Sequence, residues 1–151
     1  MQADSTAFSF EQAPGHLIRR AHQISVAVFS EETAAFGVTP VQFAILSVLD
    51  EAPEIDQITL AQRVAFDAAT IGSVVARLIA KGWVHRAPAE TDRRRKLLRL
   101  TTVGLSALRG MTAHMATVQS RIVEGLSVSE RTQFMGLLAK LIAHHERELP
   151  A

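Results

Sequence analysis

The chain has 151 residues, 48% of them hydrophobic, enough for one sizeable buried core and within the usual span of a single domain. It contains no cysteine, which excludes a disulfide framework, a zinc–thiolate site and thiol redox sensing. The formal net charge is only +1, so a nucleic-acid function has to be argued from where charge is concentrated, not from its total.

Residues 1–13 begin acidic and carry Phe8 and Phe10, too apolar for a purely solvated tail and suited to packing on a partner subunit. No basic-then-apolar leader opens the chain and no run approaches the ~18 apolar residues of a membrane span, so a cytoplasmic protein with no membrane partner is expected. From Pro14, a good first helical residue, Leu17, Ala21, Ile24 and Val28 form one stripe at helical spacing, flanked by Ile18 and Phe29. This predicts a long first helix ending near Phe36–Gly37. Thr39 then caps and Pro40 starts a second helix with Phe43, Ile45, Leu46, Val48 and Leu49 on a broad apolar face, stopping before Pro53. The segment between Ala52 and Ile58 reads as a loop.

Residues 59–101 are the organising unit. Thr59 with Gln62 matches a capping box, predicting a short helix from Leu60. After a break at Phe66–Asp67, Asp67 can cap a second helix that turns Ile71, Val75 and Leu78 inward and ends at Gly82. Its opposite face carries Ala69, Thr70, Ser73 and Arg77. Small side chains let a helix approach a DNA major groove, Ala and Thr methyls can touch the thymine methyl, and Arg can reach guanine or phosphate. By itself this face is equally a small-residue surface of an amphipathic helix. Two strand-like runs follow, Trp83–Ala87 and Leu97–Leu100, joined by a segment that Pro88 marks as loop. The pattern is a hairpin wing, and at its tip Arg93, Arg94, Arg95 and Lys96 outnumber Glu90 and Asp92. A phosphate backbone or a narrow minor groove would neutralise such a row, although isolated charge runs are usually solvated. Residues 77–99 hold eight Lys or Arg against two carboxylates, which leaves the remainder of the chain net negative.

Beyond the wing, Thr101 or Thr102 caps a long helix to about Gly125, with Leu105, Leu108, Met111, Met115, Val118 and Ile122 recurring every three or four residues and Gly104 and Gly110 weakening it locally. Ser127 with Glu130 is another capping box, opening a last helix with Phe134, Leu138, Leu141 and His145 on one face. These helices have more apolar surface than one winged unit needs, and a second chain would bury it.

The order and spacing of several motifs across residues 39–104 resemble the MarR family of dimeric, ligand-responsive winged helix-turn-helix regulators. The matching residues are Thr39-Pro40-x-Gln42-Phe43, Leu60-Ala61, Thr70, Leu78-x-x-Lys81-Gly82-Trp83-Val84-x-Arg86, Asp92-Arg93-Arg94 and Leu100-Thr101-x-x-Gly104. The resemblance implies that Asp92 steadies the wing and Arg94 enters the minor groove. Trp83 stands where the family more often has a smaller aliphatic residue. The expected architecture is therefore mainly α with a small β-hairpin wing. One domain would span 1–151, with a DNA-binding lobe at about 39–101 and dimerisation helices at about 8–36 and 102–149.

The first helix carries His16, Arg19, Arg20 and His22 beside its apolar stripe. The family's ligand pocket lies where the dimer helices meet the DNA-binding lobe, and its ligands are often aromatic acids. The stretch from Pro14 to Ile24 resembles members that control aromatic-acid catabolism. Arg can bind a carboxylate bidentately while Ile24, Phe29 and Phe43 enclose a ring, and the competing expectation is that these cations form surface or inter-subunit ion pairs. Adjacent His144 and His145 point about 100° apart on a helix, which argues against a shared metal. His114, Met111 and Met115 read as ordinary helix residues. No nucleophile elbow or catalytic pair is apparent, and neither a metal nor a cofactor is expected.

The residues thus predict a homodimeric regulator of double-stranded DNA, not an enzyme. The DNA contacts would be Thr59, Ala69, Thr70, Ser73, Arg77, Asp92, Arg93, Arg94, Arg95 and Lys96. The effector site would comprise His16, Arg19, Arg20, His22, Ile24, Phe29 and Phe43. The expected activity is repression relieved by a small aromatic acid or its thioester. The alternatives are a regulator without an effector and a helical module whose wing binds an acidic protein.

Overall fold

A computed structural model describes residues 8–148. The acidic start before Phe8 and the expected boundary at residue 149 lie outside the described residues. Six helices and a three-stranded antiparallel sheet follow one another: α1 (Pro14–Glu32), α2 (Pro40–Glu51), β1 (Ile55–Asp56), α3 (Gln57–Arg63), α4 (Ala68–Ala80), β2 (Val84–Pro88), β3 (Lys96–Leu100), α5 (Thr102–Ile122) and α6 (Val128–Glu148). This is the mainly helical winged helix-turn-helix expected. Among the described residues no helix is long and apolar enough to cross a membrane.

The core joins α2, α4 and β3 with the middle of α5. Ile45, Leu46, Leu60, Ile71, Val75, Leu78, Leu98 and Met111 are essentially fully buried, each such aliphatic residue being worth ~1.5–3 kcal/mol relative to exposure. Thr39 caps α2 in a reciprocal box: its hydroxyl accepts from the Gln42 N–H at 3.3 Å, and its own N–H donates to Gln42 Oε1 at 3.1 Å.

Four boundaries differ from the sequence reading. First, α1 stops at Glu32, not near Gly37: the Thr33 hydroxyl donates to the Phe29 carbonyl at 2.7 Å, and a 3-10 turn over Ala34–Phe36 leads to Gly37 at φ 58°. Second, residues 55 and 56 are strand, not loop, because pairing of Ile55 with Leu98 and Asp56 with Leu97 supplies hydrogen bonds that local periodicity cannot reveal. The wing is thereby a sheet in the order β1-β3-β2. Third, α3 begins at Gln57 under an Asp56 cap, so Thr59 lies in the first turn instead of capping. Fourth, Pro88 ends β2 opposite Lys96, where an edge strand tolerates the missing N–H.

The two ends of the chain are less enclosed. Only Val28 and Phe29 of α1 are buried, and Leu17 and Ile24 of the predicted stripe are about half exposed. Helix α1 lies along α5, and Arg121 of α5 bridges Glu32 at 2.7 Å and Glu31 at 2.8 Å at the end of α1. Ser127 and Glu130 form the predicted box at the start of α6. Beyond it, Met135, Leu137 and Ile142 are at least half exposed, leaving an apolar face uncovered among the described residues.

Candidate nucleic-acid interface

Two helices joined by a tight turn and followed by a sheet project one polar surface. The turn needs Ala65 in the left-handed region at φ 55°, after which Asp67 caps α4. Its carboxylate accepts the Thr70 N–H at 2.8 Å and the Thr70 hydroxyl, and these bonds hold its pKa below the ordinary value, the hydroxyl bond contributing most. Helix α4 sorts its residues cleanly: Ile71, Val74, Val75 and Leu78 are buried, while Ala69, Ser73 and Arg77 are exposed and Thr70 is half-buried. The Ser73 hydroxyl donates to the Thr70 carbonyl at 2.9 Å. Both hydroxyl protons on this face are thus engaged locally. Arg77 has no carboxylate partner among the described residues.

Asp92 closes the wing turn. Its Oδ1 accepts the Arg94 N–H and its carbonyl accepts the Arg95 N–H, both at 3.0 Å. Arg93, Arg94 and Lys96 are exposed and lack a carboxylate partner among the described residues, a geometry open to phosphate or a narrow groove. Arg95 differs from them. Its Nη2 donates to Asp56 Oδ2 at 3.1 Å, back toward the cap of α3. Asp56 also accepts the Thr59 N–H at 2.9 Å and the Thr59 hydroxyl at 3.0 Å, and its pKa is lowered chiefly by that N–H, with smaller contributions from the hydroxyl and Arg95. Arg86 of β2 donates to Gln57 Oε1 at 2.9 Å.

Asp56, Gln57 and Arg86 did not emerge as site residues from the sequence. The Asp56-x-x-Thr59 spacing was a legible capping signal, but the ties to Arg95 and Arg86 span 39 and 29 residues and have no local signature.

The seven residues proposed for an effector do not meet in one pocket within one chain. Arg19 contacts His16 Nδ1 at 3.3 Å, the His16 ring lies tilted against Phe10 with centroids 4.7 Å apart, and Arg20 donates to Gln23 at 2.8 Å. These cations lie on the outward N-terminal half of α1. Phe29 instead is buried, tilted against Phe43 at 5.7 Å in the core, and lies about 13 Å along the helix from Arg20 at 1.5 Å per residue. A cavity of about 310 Å³ occurs beside the outer half of the wing hairpin, lined in part by Glu54, Pro88, Glu90 and Arg99. Among the described residues no three His, Asp or Glu side chains converge as metal ligands.

Comparison with known proteins gives the same organisation. A family model described as MarR family matches residues 36–95. The HTH-type transcriptional repressor NicR of Pseudomonas putida is 31% identical over 143 residues, 95% of this chain and 90% of that protein. The structure of Bordetella bronchiseptica BpsR, whose DNA binding is regulated by 6-hydroxynicotinic acid, superposes with a TM-score of 0.84 at 29% identity and covers 89% of this chain and 96% of that one. A mutant of MarR from E. coli complexed with operator DNA gives 0.82 at 25% identity, covering 89% and 99%.

Proposed function

Because this chain belongs to the MarR family of DNA-binding transcriptional regulators, and so is a regulator and not an enzyme, we propose that it is a homodimeric repressor released from a palindromic operator by a small aromatic acid. The observation that carries the DNA-binding part is the common exposure of the α4 face and of the wing cations Arg93, Arg94 and Lys96, which have no carboxylate partner among the described residues. Two copies joined through their terminal helices would present two such surfaces, matching a two-fold site. The protein would act in the cytoplasm, where such a site is accessible.

An aromatic acid is favoured by chemistry and by relatives. His16, Arg19, Arg20 and His22 have no carboxylate partner among the described residues, and exposed apolar groups on the same helix, Leu17, Ile18 and Ile24, await a cover. A second chain packed there would create the desolvated walls that make a cation prefer an anionic ring. BpsR, regulated by a pyridine carboxylic acid, supports that ligand class. Release is then a population shift: an acid that fits only when the two recognition helices are wrongly spaced lowers DNA affinity by its differential affinity for that state.

The test is a titration of phenolic, cinnamic and pyridine carboxylic acids and their thioesters into the protein–operator complex. At least one should release DNA, and Arg19→Ala or Arg20→Ala should abolish release while leaving DNA binding intact. If no acid acts, or if neutral aromatics act equally after both substitutions, the cluster is a structural ion-pair site. The protein would then be a regulator without this effector.

A further inference from the structure

We infer that Asp56 and Arg95 form a post that sets the wing's angle against the helix-turn-helix, so that Arg95 is a positioning residue and not a DNA contact. The inference rests on the DNA-binding reading above and concerns the division of labour within that surface. Four cations stand in a row at the wing tip, yet only Arg95 turns back to an acid. That acid is unusually placed. Asp56 belongs to β1, which is registered on the wing strand β3 through Leu97, and it simultaneously caps α3, the first helix of the DNA-reading pair. One residue therefore joins the strand ladder through its backbone and the helix N-terminus and wing tip through its carboxylate.

The neighbouring residue repeats the arrangement on the other strand. Gln57 accepts from Arg86 of β2, and its amide nitrogen lies under Gly72 of α4, where a Cβ would meet it at 3.3 Å. The two residues that open α3 thus touch both long wing strands and the recognition helix. An ion pair with more than half of the Arg95 side chain exposed contributes little to folding. Its consequence is geometric: it restricts the angle at which Arg93, Arg94 and Lys96 reach the duplex while α4 occupies the neighbouring groove.

The experiment compares wild type, Arg95→Gln, Asp56→Asn, the double variant and Arg94→Ala, measuring affinity across salt concentrations for an operator duplex selected from random-sequence DNA. Asn retains the capping acceptor of Asp56 and removes the charge, and equal melting temperatures check that folding is kept. Each single substitution should weaken binding about three- to tenfold, the size of a modulating residue that touches no ligand, with the double variant no worse than either. The salt slope should stay that of wild type in these variants, whereas Arg94→Ala should lower it by about one. A slope lowered by about one in Arg95→Gln, tighter binding by Asp56→Asn, additive losses, or unchanged affinity in both single variants would each overturn the proposal. If wild type itself shows no salt-dependent DNA binding, it is the DNA-binding reading that fails.

Discussion

Gly104 lies directly against the carbonyl of Trp83, so close that a methyl group at position 104 would overlap the oxygen. The same carbonyl accepts the Thr101 N–H at 3.0 Å, and the Thr101 hydroxyl donates to the Gly82 carbonyl at 2.6 Å. The end of α4, the start of the wing and the first turn of α5 are therefore locked at one joint. Gly104 reads in the sequence as a helix-weakening residue; in the fold it makes this approach possible. Gly104→Ala should cost about 1 to 3 kcal/mol through overpacking against backbone. Thermal unfolding checks it, and an unchanged melting temperature would show that the joint yields easily.

On the recognition face, Arg77 and Ser73 should not be equivalent. Arg77 is free to reach a base edge, whereas the Ser73 proton is committed to the Thr70 carbonyl. Arg77→Ala should erode discrimination between operator and random duplex by about 1 to 3 kcal/mol, with a smaller effect for Ser73→Ala. Competition binding on both DNAs measures this. An equal loss on the two would identify Arg77 as a phosphate contact.

The outward apolar face of α6 should be the place where oligomerisation fails. Leu137 is 68% exposed and Ile142 50% exposed in the single chain. Replacing Leu137 and Ile142 by Glu should convert a dimer to monomer in sedimentation and strip away most operator affinity, because each half-site would then bind alone. A dimer that survives both substitutions locates the interface elsewhere.

Acid should destabilise the fold through its helix caps. The carboxyls of Asp56 and Asp67 titrate below their ordinary value of 3.8 in the folded chain, through bonds from Thr59 and Thr70 respectively. A depressed folded pKa means that their stabilisation is complete above that value and is lost as pH falls through it toward the folded pKa. Asp67→Asn keeps a capping acceptor and removes the titration, so the acid limb of a stability-versus-pH curve should become shallower below about pH 4. An identical acid limb in the variant would count against a role for this cap.

Local chemistry carried a large share of this protein into its sequence. The Thr39 and Ser127 boxes, the Asp67 cap, the inward spacing of Ile71, Val75 and Leu78, and the left-handed Gly82 are each settled within a few residues, and each is legible as pattern. The winged helix-turn-helix and the cations at its tip follow from the order of those signals. What depended on tertiary structure were pairings between distant segments. The strand at Ile55–Asp56 exists because β3 lies beside it. Arg95 separates from Arg93, Arg94 and Lys96 only when residue 56 is brought to the wing, and Phe29 separates from Arg20 only when Phe43 draws it into the core. A run of like charges or one helical stripe looks uniform along the chain. The partner reached across the fold decides which member orients, which packs and which remains outward to meet DNA.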